Sequence, residues 1–162
     1  MKRFLFVIIT IFAINSSTLK AQEVYNLVLN NATRIVNNPT CSYTQIQIAQ
    51  FKRTALIYMK TKAFEETDSV PSNFLDTQAY YLSEFITLFF NDVVTSKRLS
   101  DEKRKERIMM FTDASISNPM FEDTDQETTL AFIKDGGELT PFCIDTDWQK
   151  AYTAAIAQLK KK

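Results

Sequence analysis

The stretch Ser72-Asn73-Phe74-Leu75-Asp76-Thr77-Gln78-Ala79-Tyr80-Tyr81-Leu82-Ser83-Glu84-Phe85-Ile86-Thr87-Leu88-Phe89-Phe90-Asn91-Asp92-Val93 decides the fold. Leu75, Ala79, Leu82, Ile86, Phe89 and Val93 recur at i, i+4, i+7 spacing, the period of one helical face. Phe74, Tyr81, Phe85 and Leu88 flank this stripe and widen the apolar arc to about two thirds of the circumference, far more than a surface helix needs. The spacing predicts a helix over about 72–97, placed centrally with other helices around it.

Helical periodicity continues on both sides. Upstream, Val24, Val28, Asn31 and Ile35, with Tyr25, Leu29, Ala32 and Val36 beside them, run to an Asn37-Asn38-Pro39 stop. Ser42 and Gln45 have capping-box spacing and open a second helix to about Lys62, with Ile48, Phe51, Ala55 and Tyr58 on one face and Ile46 and Ile57 on another. Downstream, Ser100 is placed to cap a helix whose first turn carries Asp101 and Glu102, and Ile108, Phe111 and Ala114 form its buried side before Asn118-Pro119. The last third contains an echo: Glu122-Asp123-Thr124-Asp125-Gln126-Glu127 and Ile144-Asp145-Thr146-Asp147-Trp148-Gln149 each place Glu or Gln three residues after the threonine, again capping-box spacing. The first copy is expected to open a short helix through Leu130, Phe132 and Ile133, closed by Gly136-Gly137, with a strand over Thr129 to Ile133 as the alternative. The second opens a final helix carrying Trp148, Ala151, Tyr152, Ala155, Ile156 and Leu159 on one face. The expected fold is all-α, a single-domain bundle of about six helices.

Composition narrows the function classes. With only two glycines and four prolines among 162 residues, glycine-rich phosphate loops and a many-turned β-sandwich are disfavoured. The complete absence of histidine removes Ser-His-Asp and Cys-His catalysis, His-ligated metals and a histidine pH switch. No cofactor motif is present and no cofactor is expected.

Lys2 and Arg3, the apolar run from Phe4 to Ile14 and a polar stretch ending at Ala21 form a signal-peptide pattern, with cleavage expected after Ala21. The apolar run is too short for a membrane span. The domain then covers residues 22–162, with 16 basic against 19 acidic side chains, a balance that does not suggest nucleic-acid binding. A periplasmic or secreted protein is expected, its partner a protein or a small ligand in the envelope or outside the cell. Such a compartment permits Cys41 and Cys143 to pair, and closing a loop of that length contributes at most about 4.7 kcal/mol; two buried free thiols are the equal alternative.

Four places carry candidate chemistry. Tyr80, Tyr81, Trp148 and Tyr152 suggest a half-apolar, half-wet groove for a ligand, glycan or partner helix, against the simpler reading of core packing. Glu122, Asp123, Asp125 and Glu127 offer oxygens for calcium, but Thr128 and Lys134 stand where an EF-hand loop from Asp123 needs Gly and Glu, so helix capping is the simpler role. Glu84 on the apolar helix is a single candidate for carboxylate-based glycoside hydrolysis, yet it falls opposite the main stripe, with Thr87 and Asn91, where it is expected to face solvent. The mixed-sign run from Lys97 to Arg107 reads as a solvated helix start.

The leader ending Ala21-Gln22 and the block Leu139-Thr140-Pro141-Phe142-Cys143-Ile144-Asp145-Thr146-Asp147-Trp148 resemble small secreted helical proteins of Gram-negative bacteria, families of domains without assigned function. That resemblance implies an exported helical protein and assigns no catalytic residue. The reading is an exported binding or interaction module, leaning away from an enzyme; a carboxylate-based glycan hydrolase or a calcium-binding module is the alternative.

Overall fold

Among the described residues, five α-helices and one β-hairpin follow from the local rules above with two substitutions of element type. The computed structural model describes residues 22–66, 71, 73–97, 99–122, 130–135 and 138–161. The expected signal peptide, residues 1–21, lies outside them. The helices are α1 (Glu23–Val36), α2 (Tyr43–Glu66), α3 (Phe74–Phe89), α4 (Asp101–Ile116) and α5 (Trp148–Lys160). The hairpin is β1 (Leu130–Asp135) with β2 (Glu138–Cys143).

The caps explain where helices begin. Ser42 donates its backbone N–H to Gln45 Oε1 at 2.8 Å while Gln45 N–H donates to Ser42 Oγ at 3.3 Å, the reciprocal box that starts α2. Ser100 Oγ accepts from Lys103 N–H at 3.4 Å at the head of α4, where Asp101 and Glu102 also face the positive end of the helix dipole. Helix α5 departs from expectation. Its cap is Asp147, whose carboxylate accepts from Lys150 N–H at 3.1 Å, and not the box headed by Thr146. The Thr146 hydroxyl is occupied elsewhere, facing Ser115 Oγ at 2.9 Å.

The helix read from the sequence over 72–97 changes winding before its end. After Phe89 the chain makes a π turn, Phe90–Val94, in which Thr95 N–H donates to the Phe90 carbonyl five residues back at 2.9 Å. Its free carbonyls are satisfied from α4: the Arg104 guanidinium donates to Val93 O and, at 3.0 Å, to Ser96 O. Arg107 Nε stands 3.5 Å from Asp92 Oδ2 on the same turn. The widened turn is thereby clamped to the next helix by two arginines.

The second substitution corrects the expected short helix through Leu130 and Ile133. That stretch is strand β1, antiparallel to β2, in the register Leu130↔Cys143, Phe132↔Pro141 and Asp135↔Glu138. The physical reason is in the sequence: two glycines between apolar runs are a hairpin signal, and they follow Asp135 and precede Glu138 directly. Pro141, which lacks an N–H, is tolerated because both strands of a two-stranded sheet are edges. The mostly helical class stands, with the hairpin added.

Packing follows from the apolar stripes. Helix α1 lies against α2 and α3, α5 against α3 and α4, β1 against α2 and β2 against α4. On α3, Leu75, Ala79, Leu82, Phe85, Ile86 and Phe89 are buried, with Val93 continuing the stripe into the π turn. At the heart of the core Phe142 has ring centroids 5.9, 5.5 and 5.2 Å from those of Phe51, Phe85 and Phe89. Phe111 lies 5.5 and 5.4 Å from Phe85 and Phe89, edge to face. Each such ring, fully buried, contributes about 1.5–3 kcal/mol from apolar burial, with edge-to-face geometry adding about 0.5–1.5 kcal/mol per pair. Much of the aromatic content counted in the sequence is therefore core.

A second, polar joint locks the hairpin and α5 to the older part of the chain. Gln78, Ser115, Asp145, Thr146 and Asp147 are all buried. Gln78 on α3 uses both ends of its amide, accepting from Trp148 N–H at 2.8 Å and donating to Asp147 Oδ1 at 3.2 Å. Ser115 Oγ on α4 accepts from Cys143 N–H at 2.9 Å. Asp145 Oδ1 accepts from Met120 and Phe121 N–H groups at 3.2 and 2.9 Å, and Asp147 N–H donates to Asn118 O at 2.8 Å. These bonds compensate the desolvation of groups that otherwise disfavour burial.

Candidate functional site

Three of the four aromatic candidates come together where α3 and α5 meet. Tyr80 and Tyr81 are consecutive on α3, and their rings sit edge to face at 5.1 Å with an interplanar angle of 78°. Tyr152, one turn into α5, brings its ring 5.6 Å from Tyr81 at 46°. The result is a strip of three phenols running from the half-buried Tyr81 and Tyr152 to the surface, where Tyr80 is 37% exposed. The fourth candidate, Trp148, belongs elsewhere. It is 0% exposed and packs 5.8 and 5.5 Å from Phe51 and Phe85, so it is a core residue and is removed from the ligand wall. Its position at the first turn of α5 makes the reason plain: the Asp147 cap and Gln78 draw that end of the helix inward.

Glu84 stands on α3 three residues after Tyr81 and four after Tyr80, on the same face of the helix. It is half-buried, not on an open solvent face as its wheel position suggested. Its charge is felt by the strip. Burial first, and the Glu84 carboxylate second, push the hydroxyls of Tyr80 and Tyr152 above the usual phenol range, because a negative charge nearby opposes phenolate formation.

A residue the sequence reading passed over answers to the same charge. Lys52, half-buried on α2, has its ammonium pushed down to about 8 by burial, a shift that the Glu84 carboxylate partly opposes. Lys52 lies at i−3 and i−4 to the buried Ala55 and Leu56, at i−7 to Met59 and at i+4 to Ile48. A lysine in the middle of an apolar helical face was the signal available. Among the described residues neither the Lys52 nor the Glu84 side chain makes a hydrogen bond or closes an ion pair. The site thus holds three phenol rings and the Glu84 carboxylate, contributed by α3 and α5, while Lys52 on α2 lies within the electrostatic reach of Glu84.

The remaining candidates are dispersed. Glu122 is exposed, while Asp123, Asp125 and Glu127 lie outside the described residues. Among the described residues no three acidic or thiol side chains gather as a metal ion would require. Cys41, half-buried between α1 and α2, and Cys143, buried at the end of β2, are not joined by a disulfide. Cys143 is instead bound through its backbone to Ser115 of α4. No described helix is long and apolar enough to cross a membrane. Comparison of the chain with protein-family models, with curated proteins and with solved structures finds no match to any of the three.

Proposed function

We propose that the protein is an exported binding module whose ligand site is the tyrosine strip with Glu84, built on α3 as the central scaffold of the bundle. Export is carried by the signal-peptide pattern of residues 1–21, which implies a periplasmic or extracellular ligand. The observation that carries the binding role is the conjunction of Tyr80, Tyr81 and Tyr152 where α3 and α5 meet, with the Glu84 carboxylate close enough to act on two of the phenols. Tyrosine rings that are half apolar and half wet supply contact area at small conformational cost, and a charge beside them supplies orientation.

A thermal-shift screen of the protein with cell-wall fragments, a glycan panel, short peptides and calcium tests this reading. A ligand at 100 times its Kd stabilises the fold by about 2.7 kcal/mol, a displacement of several degrees. The expected result is a shift that disappears in Tyr81→Leu and Tyr152→Leu. A shift of unchanged size in both variants places the binding elsewhere and overturns the assignment of this site.

A further inference from the structure

We infer that the tyrosine strip binds a small soluble quaternary ammonium compound, its positive head seated against the ring faces of Tyr80, Tyr81 and Tyr152 and its charge opposed to the Glu84 carboxylate. This rests on the binding reading above and names the ligand class.

Tyr80, Tyr81 and Glu84 all belong to α3, and spacings of four and three residues place Glu84 between the two tyrosines on the helical wheel, one turn further on. The Tyr80 and Tyr81 rings meet edge to face at 5.1 Å and 78°, so their planes form a corner. Tyr152 of α5 adds a third ring 5.6 Å from Tyr81, tilted by 46°. Rings that meet at an angle and not flat keep faces free for a ligand, and the negative face of a tyrosine ring attracts a cation. Tyr80 is 37% exposed, and Tyr81, Tyr152 and Glu84 are half-buried, so the corner is open to a solute from outside.

Charge selects the sign of that solute. Helix α3 carries two charged residues, Asp76 and Glu84, both acidic, at i−4 and i+4 from Tyr80. Asp76 is engaged, accepting the Tyr25 N–H at 2.8 Å, whereas the half-buried Glu84 side chain makes no hydrogen bond or ion pair among the described residues. On α5 the basic residue nearest Tyr152 in sequence, Lys150, is held by Asp147 at 3.1 Å. Burial raises the Tyr80 and Tyr152 hydroxyls first; the charges that add to it, Glu84 foremost, are all acidic, and Lys52, which also feels Glu84, is not among them. An anion is repelled from such a place, and a neutral ligand covers Glu84 further without giving it a partner, which is unfavourable. Hydration then separates one cation from another. A primary ammonium must find acceptors for three N–H donors when it leaves water, and ring faces with one carboxylate supply them poorly. A quaternary ammonium has no N–H to satisfy and is held by the rings directly.

The test uses three probes of similar size: choline, its neutral carbon isostere 3,3-dimethylbutan-1-ol, and ethanolamine, with ionic strength held constant by sodium chloride. Affinities are read from chemical-shift titration of the isotope-labelled protein, following resonances of Tyr80, Tyr81 and Tyr152. Choline is expected to bind about tenfold more tightly than either of the others. In Glu84→Gln, close in size and checked for folding by circular dichroism, most of the preference over the isostere disappears; a preference that persists unchanged overturns the part given to Glu84. The comparison of choline with its isostere needs no variant and stands if that one fails to fold. Binding of the isostere as tight as that of choline overturns the cation inference and leaves the strip standing as an apolar site. Ethanolamine as tight as choline overturns the quaternary assignment. Co-sedimentation with phosphatidylcholine vesicles, competed by choline, would transfer the same head group to a lipid and overturn the soluble compound. Silence of choline, with a Tyr152-dependent response to another ligand of the thermal-shift screen, overturns this inference alone, and silence in both experiments overturns the site itself.

Discussion

Removing a single oxygen, Ser115→Ala, tests whether the polar joint or the aromatic core holds the C-terminal third in place. Ser115 is 0% exposed, and its Oγ accepts the Cys143 N–H at 2.9 Å and stands 2.9 Å from Thr146 Oγ1. Alanine fits the space, so no clash or large cavity contributes. What changes is that the Cys143 N–H, at the end of β2, loses its acceptor in a place where water does not enter. A buried donor left without a partner costs about 1–3 kcal/mol, against a net value of about 0.5–1.5 kcal/mol for an ordinary hydrogen bond. For a domain of this size each kcal/mol moves Tm by about 2–4 °C, so a depression of several degrees is expected. Urea titration with an unchanged m-value is the assay, because it separates stability from a change in the unfolded ensemble. Thr146→Val removes the other hydroxyl of the pair, and the double variant closes a cycle. The two losses are expected to be less than additive, because Ser115 and Thr146 share the Cys143 backbone as a partner. A destabilisation below about 0.5 kcal/mol for Ser115→Ala, within the range of ordinary surface changes, would falsify the view that this joint matters to stability.

Phe142→Ala removes the ring that meets Phe51, Phe85 and Phe89 and should cost about 3–5 kcal/mol, read as a lowered urea midpoint, whereas Tyr43→Ala at an exposed position should change it by less than about 0.5 kcal/mol. Asp147→Ala deletes the cap of α5 and leaves Gln78 Nε2 short of an acceptor, so a loss of about 1–2 kcal/mol is expected, with amide exchange quickening first at Lys150 and Ala151. Stability should rise as pH passes upward through about 8. Below that value Lys52 is protonated in folded and unfolded chains alike and its burial penalty is fully present; above it the folded chain sheds the proton before the unfolded one does. The rise should reverse above pH 10, the usual phenol value, because Tyr25, Tyr80 and Tyr152 hold their protons more tightly when folded and the unfolded chain ionises first. Lys52→Met should abolish the rise and spare the reversal, and a rise that persists in that variant assigns it to another group.

Helices were legible where periodicity and capping agreed. The Ser42 and Gln45 pair, the Ser100 cap and the Leu75 to Val93 stripe each have a local physical cause, so their positions in the chain were enough. The hairpin is hidden in the sequence because the Asp-Thr-Asp echo suggests two helix starts, and a pair of glycines marks a helix stop as readily as a link between strands. Gln78 and Ser115 were invisible for a different reason. A polar residue on a buried stripe makes sense only once its distant partners are known, and those lie near Cys143 and Asp147. The meeting of Tyr80, Tyr81 and Tyr152 could be suspected from aromatic content, but Trp148 shares a helical face with Tyr152 and was grouped with it; only the inward pull of its own backbone N–H bond to Gln78 separates the two. Lys52 is readable in principle, as a cation flanked by apolar residues at helical spacing, and Glu84 gains relevance only once α5 brings Tyr152 within reach of its charge.

The order in which the core residues occur along the chain has a consequence for biosynthesis. Phe142 and Trp148 both follow, in sequence, the phenylalanines they pack against: Phe51, Phe85 and Phe89 for the first, Phe51 and Phe85 for the second. A growing chain that has reached Phe121 already possesses α1 to α4 but lacks the two rings that fill the space between them. Until they arrive, that apolar recess is open to water and available to any holding factor that recognises exposed phenylalanine. Arrival of a hairpin and one short helix then closes it in a single cooperative event, because long-range contacts must be made together before any of them is rewarded. The bonds from Trp148 N–H to Gln78 and from Cys143 N–H to Ser115 then tie the arriving segment to α3 and α4.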